Sequence, residues 1–201
     1  MAKVTILESH LLAILKAISA FASDDQKREH ICTVFFELEK SAIAFIATDG
    51  CGLATYRARD ESMDFEHASK SELNVKLNSI GALVRALSPK SILHCVIDLD
   101  AKAVTLASGT TIRLEESTAK FPPYRQVMPK DYDFSNPFSA AMDVVYMAKA
   151  ARAFEQARKV RGGKGPVAVT WKCGKERLDP VQVESRQVPE MTVILMPYND
   201  K

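Results

Sequence analysis

The sequence predicts an α+β fold made from repeats of one unit: a strand, an amphipathic helix and three further strands. Two observations predict it. Apolar residues change from a period of two to helical spacing and back again, and this change occurs three times along 201 residues. Polar and glycine-containing breaks separate the short strand-like runs within each pass.

In the first pass, residues 4–7 read as a short strand, and Leu11, Ile14, Leu15 and Ile18 then fall on one helical face, with Ser9 as a candidate N-cap. After a polar stretch over 23–29, Val34, Phe36 and Leu38 alternate, and strand-like runs follow at 42–48 and 53–57. The second pass has a strand at 73–77, a helix carrying Ile80, Leu83, Val84 and Leu87 on one face, and Pro89 to stop it. Its strands fall at 92–99, 103–107 and 111–115, with Asp100-Ala101-Lys102 and Gly109 at the breaks. The third pass begins near Phe134 and has a helix whose packing face is predicted to be Val144, Met147, Ala151 and Phe154. Its strands are predicted at 166–171, 181–185 and 191–196.

With 47% apolar and 26% charged residues, the composition is that of an ordinary globular protein, long enough for one large domain or one and a half small ones. A net charge of +2 does not by itself mark a nucleic-acid binder, so a basic surface has to come from local clustering. The cysteines at 32, 51, 95 and 173 form no Cys-x-x-Cys pair, and His10, His30, His67 and His94 show no ligand spacing, so a metal site is not expected. The thiols read as reduced. The start of the chain lacks the apolar stretch of a signal peptide and no apolar run reaches spanning length, which points to a soluble, cytoplasmic protein without a membrane partner.

Three strings far apart in the chain carry more specific information. They are residues 46–54 (Ile-Ala-Thr-Asp-Gly-Cys-Gly-Leu-Ala), 121–129 (Phe-Pro-Pro-Tyr-Arg-Gln-Val-Met-Pro) and 193–197 (Val-Ile-Leu-Met-Pro), with the strand-like 180–184 (Pro-Val-Gln-Val-Glu) one strand before the last. In order and spacing they resemble the bacterial DNA sliding clamp, the beta subunit of DNA polymerase III. In that family a strand ends in Ala-Thr-Asp-Gly, a Phe-Pro-x-Tyr-Arg segment links two domains, and an apolar strand runs into Met-Pro. The resemblance implies a clamp fold with helices on one face of antiparallel sheets. It makes residues 1–129 a complete domain like the middle one of the clamp, and 130–201 the second half of the last.

The same resemblance implies a groove for a short linear peptide from polymerases, the clamp loader or repair proteins. Its positions here are Ile31, Thr48, Gly50, Cys51, Gly52, Leu53, Pro122, Val127, Pro180, Ile194, Met196, Pro197 and Tyr198. Two departures stand out: the usual His-Arg after Thr-Asp-Gly is Cys51-Gly52, and Tyr198 follows Met-Pro where Met or a similar residue is common. They predict a pocket with one cation fewer and more room. The structural alternative is that these apolar residues are simply core at a domain seam.

Lys149, Arg152, Glu155, Arg158, Lys159, Arg161 and Lys164 give the third helix and its exit a charge of +5, leaving −3 for the rest. Lys149, Arg152, Gln156 and Lys159 share a helical face turned away from the predicted apolar one. Such a face is either simply solvated or meets phosphate. The resemblance implies duplex DNA, contacted by Lys149, Arg152, Lys159, Arg161 and Lys164 with Arg85 from the second helix, through cations that read no bases.

No catalytic constellation emerges. Asp49 lies in a turn where its carboxylate can accept backbone amides, and Asp131, Asp133 and Ser135 lack the glycine and glutamate of a calcium loop. Gly162-Gly163-Lys164-Gly165 lacks the spacing of a phosphate-binding loop, so no cofactor is expected. The implied function is that of a non-catalytic processivity factor tethering polymerase or repair proteins to duplex DNA. The alternative is an adaptor or decoy that binds clamp clients without encircling DNA. Self-association of copies is implied as well, since an incomplete last domain leaves a sheet edge unpaired.

Overall fold

The passage from β1 (Lys3–Leu7) into α1 (Glu8–Ser19) has no connecting loop. Leu7 is the cap residue, without a side-chain bond, and Ser9 lies inside the helix rather than at its cap. Glu8 occupies the first turn, where a negative charge suits the helix N-terminus, and its Oε1 accepts the Ala107 amide at 2.9 Å. The computed structural model describes residues 2–39, 41–59, 64–66, 71–128, 142–163, 167–173 and 179–197.

The first pass continues as β2 (Thr33–Glu39), β3 (Ala42–Thr48) and β4 (Gly52–Ala58). A short β5 (Asp64–Glu66) follows, which was not anticipated because three residues are too few to show a period. The second pass is β6 (Ser71–Lys76), α2 (Leu77–Ala86), β7 (His94–Asp98), β8 (Ala103–Thr105) and β9 (Thr111–Arg113). The helix ends three residues before Pro89, with Leu87 already extended. The third pass shows α3 (Val144–Arg158), β10 (Thr170–Lys172), β11 (Val181–Glu184) and β12 (Met191–Leu195). The start predicted near Phe134 and the boundary at 129 and 130 lie outside the described residues.

The strands form two antiparallel sheets. One runs β5-β1-β7-β8-β9 and the other β10-β11-β12-β4-β3-β2-β6. Each of the first two units therefore contributes its leading strand to the other's sheet: β1 pairs with β7, and β6 pairs with β2. The third unit joins the larger sheet through β12, which aligns with β4 from Met191↔Tyr56 to Leu195↔Gly52.

The main core lies between the helices and the sheets, and α1 is its centre. Leu11, Leu12, Ile14, Leu15, Ala17 and Ile18 are all buried in it, and α1 packs on both α2 and α3. The alternation of strand side chains sends Phe36, Phe45, Ala54, Tyr56 and Val193 into this layer. Their neighbours Phe35, Ala44, Ile46, Leu53 and Ile194 face the opposite way, where they form a second cluster with Phe121 and Tyr124. The segment 121–128 thus crosses the outer face of the seven-stranded sheet. Phe121 stacks on Phe35 at 5.0 Å, while Tyr124 Oη and Arg125 Nη2 each donate to Glu37 Oε2 at 2.6 Å. Glu37 is 1% exposed, and these charge-assisted bonds compensate the burial of its carboxylate.

The packing face of α3 is rotated from the one expected. Ala150, Ala153, Phe154 and Ala157 are buried, whereas Val144 is 74% and Met147 41% exposed and Ala151 is exposed. Only Phe154 of the predicted face enters the core. Small alanines let α3 lie close against α1, and that contact sets the helix rotation in place of the bulkier Val and Met.

This rotation sets opposite costs for two truncations. Phe154→Ala is expected to destabilise by about 3–5 kcal/mol and Met147→Ala by less than about 1 kcal/mol in urea unfolding. Equal costs would restore the face read from the sequence.

Candidate functional site

The turn between β3 and β4 organises the most developed concave surface bearing the expected residues. Gly50 has φ +92°, a conformation that favours glycine, and the Arg28 guanidinium packs against it. Asp49 holds the turn from within. Its Oδ1 accepts the amides of Cys51 at 3.0 Å and Gly52 at 2.9 Å, and its Oδ2 accepts Tyr146 Oη at 3.0 Å and Lys149 Nζ at 2.8 Å. Its carbonyl accepts Arg28 Nη1 at 2.9 Å. One carboxylate therefore ties the β3–β4 turn to α3.

Burial pushes the Asp49 carboxyl up, but the hydrogen bonds from Lys149, Gly52 and Cys51 outweigh it and hold the group below the usual range. The Tyr146 hydroxyl is pushed up, first by burial and then by Cys51 and Asp49, so it remains a donor. Lys149 Nζ also lies 4.6 Å from the Tyr146 ring centroid.

Beside this turn lies an apolar groove of about 360 Å³. Of the thirteen positions expected, Ile31, Thr48, Gly50, Cys51, Gly52, Leu53, Pro122, Val127, Ile194 and Met196 line it. The strand register explains the gathering: Leu53 stands opposite Thr48 on one side and Ile194 on the other, on the face crossed by 121–128. Pro180 and Pro197 are not among its walls, because Pro180 precedes β11, one strand further out. Tyr198 lies outside the described residues.

One expectation about the pocket is corrected: Gly52 opens no room, since a Cβ there would sit 3.0 Å from the Phe21 ring and 3.2 Å from the Tyr146 ring. Arg28 and His30 also line the groove, together with Pro123, Tyr124 and Gln126. The sequence reading missed these five. Arg28 and His30 sit in the polar stretch before β2, and only the fold brings that stretch to the Thr-Asp-Gly turn.

The expected basic residues divide in two. Among the described residues Arg152 and Arg85 are exposed without a partner, and Lys159 donates to Gln156 Oε1. By contrast, Lys149 is tied to Asp49, and Arg161 pairs with Glu190. Lys164 lies outside the described residues. Lys16, the one exposed residue of α1, adds a charge to the central helix of the layer. Among the described residues no group of His, Cys, Asp or Glu is placed to hold a metal ion, and no helix is long and apolar enough to cross a membrane.

No protein-family model matches the sequence, and no curated protein matches it. Solved structures do match the fold. A DNA polymerase III subunit beta from Pseudomonas aeruginosa superposes with a TM-score of 0.76 at 16% identity, covering 98% of this chain and 66% of that one. The beta subunit from Thermotoga maritima gives 0.74 at 13% identity, with coverages of 100% and 66%. A Pseudomonas aeruginosa sliding clamp bound to griselimycin gives 0.75 at 15% identity, with coverages of 98% and 65%. The chain has the DNA sliding-clamp fold and spans 65–66% of the length of these clamps.

The Asp49 knot has a pH signature. A carboxylate held below its unfolded value, about 3.9, contributes stability above that pH and loses it as pH falls through the folded value. Asp49→Asn is expected to lower stability at pH 7 by about 1–3 kcal/mol. It should also flatten the loss of stability that wild type shows below about pH 4, as read by urea unfolding across pH. Parallel curves for the two proteins would remove Asp49 from that account.

Proposed function

We propose that this protein is a clamp-type, non-catalytic accessory of DNA replication or repair that holds partner proteins through a short linear peptide bound in the groove beside Asp49. The observation that carries this reading is the convergence of nine residues from three separated sequence strings, together with Ile31, on one apolar groove. An extended peptide suits such a surface, because its apolar anchors leave water and the exposed Met196 adapts to varied side chains. The fold likeness to polymerase clamps, one of them carrying griselimycin, supports the same reading.

In this reading duplex DNA meets the helix layer. Arg152 and Lys159 on or just beyond α3, Lys16 on α1 and Arg85 on α2 supply scattered cations, enough for weak, salt-sensitive phosphate contact without base reading. Self-association of copies would complete the assembly around DNA. A second reading is favoured by the engagement of Lys149 and Arg161 in ion pairs within the fold. It is a peptide-binding adaptor for clamp clients that does not encircle DNA.

A labelled peptide with a Gln followed by Leu and Phe anchors should bind with modest affinity. Met196→Ala and Val127→Ala, both at exposed positions, should each weaken it roughly tenfold. Absence of binding by calorimetry and by competition would refute the groove reading. Duplex binding separates the two functions. Replacing Lys16, Arg85, Arg152 and Lys159 together by Ala should weaken it about equally for all sequences and reduce its salt slope. No duplex binding by wild type at low salt would leave the adaptor.

A further inference from the structure

The apolar groove occupies only one end of the outer face of β3, β4 and β12. Along β4, Leu53, Thr55 and Arg57 share that face; along β3 it carries Thr48, Ile46 and Ala44, and along β12 Ile194 and Thr192. At the far end is a second concavity of about 460 Å³, whose walls include Arg57, Arg59 and Arg125. Tyr124 belongs to both concavities, so the two share a wall rather than lying on unrelated surfaces. From the Leu53 row to the Arg57 row is four residues of strand, roughly 13 Å, within the reach of a short extended peptide.

The far end is electropositive on its walls. Its lining has one acid against the three arginines, Glu190, which pairs with Arg161 through Oε1, while Glu37 and Glu39 beside it pair with Arg125 and Arg57 and leave Arg59 as the uncompensated charge. Arg125 stands 4.9 Å from the Tyr124 ring centroid and is 53% exposed while paired to Glu37. Arg57 pairs with Glu39 through Nη2, and its buried Nε has no acceptor among the described residues. Arg59 is exposed and has no partner among the described residues. A guanidinium has five donors, so these three groups have capacity left for one more carboxylate. The floor between the two ends, Ala44, Ile46 and Met128 among it, is apolar.

We infer that the groove and the arginine concavity form one track, and that the partner peptide it takes carries an acidic residue about four positions from its apolar anchor, held by Arg57, Arg59 and Arg125. This rests on the groove reading and adds a charge requirement to it: the anchors supply affinity and the arginines select acidic flanks. Nothing in the apolar groove alone would discriminate an acidic flank from a neutral one.

The test uses three labelled peptides with the same anchors in fluorescence polarisation with the full chain. One has an Asp pair four residues before the anchors, one has it four residues after, and one has Asn at all of these positions. One acidic peptide is expected to bind about three- to tenfold tighter than the Asn peptide at low salt, with the advantage shrinking as salt rises. Arg59→Gln, which disturbs no ion pair among the described residues, should reduce that advantage. Arg57→Gln with Arg59→Gln should bring the ratio of acidic-peptide to Asn-peptide affinity, both measured on that variant, to about one. Equal binding of all three peptides by wild type, or an advantage that survives in the double variant, overturns the charge requirement while the groove stands. Binding of no peptide overturns the groove and the inference together.

Discussion

The pairing of β12 with β4 is the interaction on which the rest of the molecule depends. Without it β4 would be a sheet edge with unpaired amides and carbonyls, and the third unit would have no attachment to the larger sheet. With it, five consecutive residue pairs fix the register, and Leu53 stands beside Ile194. A slip of one residue would turn Ile194 inward and Val193 outward, removing one wall of the groove and placing a different side chain in the main core. The ladder therefore joins the units and builds the site in one step.

Two carboxylates then lock what the ladder assembles. Glu37 is buried under the linking segment and holds Tyr124 and Arg125 to β2, while Phe121 stacks on Phe35 beside them. Asp49 does the equivalent work at the other wall, joining the β3–β4 turn to α3 through Tyr146 and Lys149. Asp49 accepts four donors and Glu37 Oε2 accepts two, and these bonds offset the cost of withdrawing each charge from water. The groove between them is bounded by segments whose positions are set by bonds to these two acids, so its shape does not wait on a ligand.

Period-two alternation made most strands legible. The run at 42–48 coincides with β3, and 181–185 and 191–196 overrun β11 and β12 by one residue each. The groove positions were not read from alternation: they came from the resemblance of strings such as Thr-Asp-Gly and Phe-Pro-Pro-Tyr to the sliding clamp, and ten of them line one concavity. The rotation of α3 was not legible. Val144, Met147 and Ala151 form an apolar stripe on a wheel as convincing as the alanine face actually buried, and periodicity weighs bulk where helix packing rewarded closeness to α1. The ion pairs of two basic residues were not legible either, since a wheel counts charges and cannot see that Lys149 lies beside Asp49 or Arg161 beside Glu190.

What the sequence by itself determined was local: which residues alternate, where α1 and α2 lie, and that three units repeat. These follow from interactions within a few residues, so they are written in consecutive positions. Tertiary structure alone decided the exchange of β1 and β6 between units, the merging of the third unit into the larger sheet, and the arrival of Arg28, His30 and the three arginines along one face. Each depends on partners tens of residues away. A strand pattern states which face of a strand is apolar, but not which neighbour its backbone will meet.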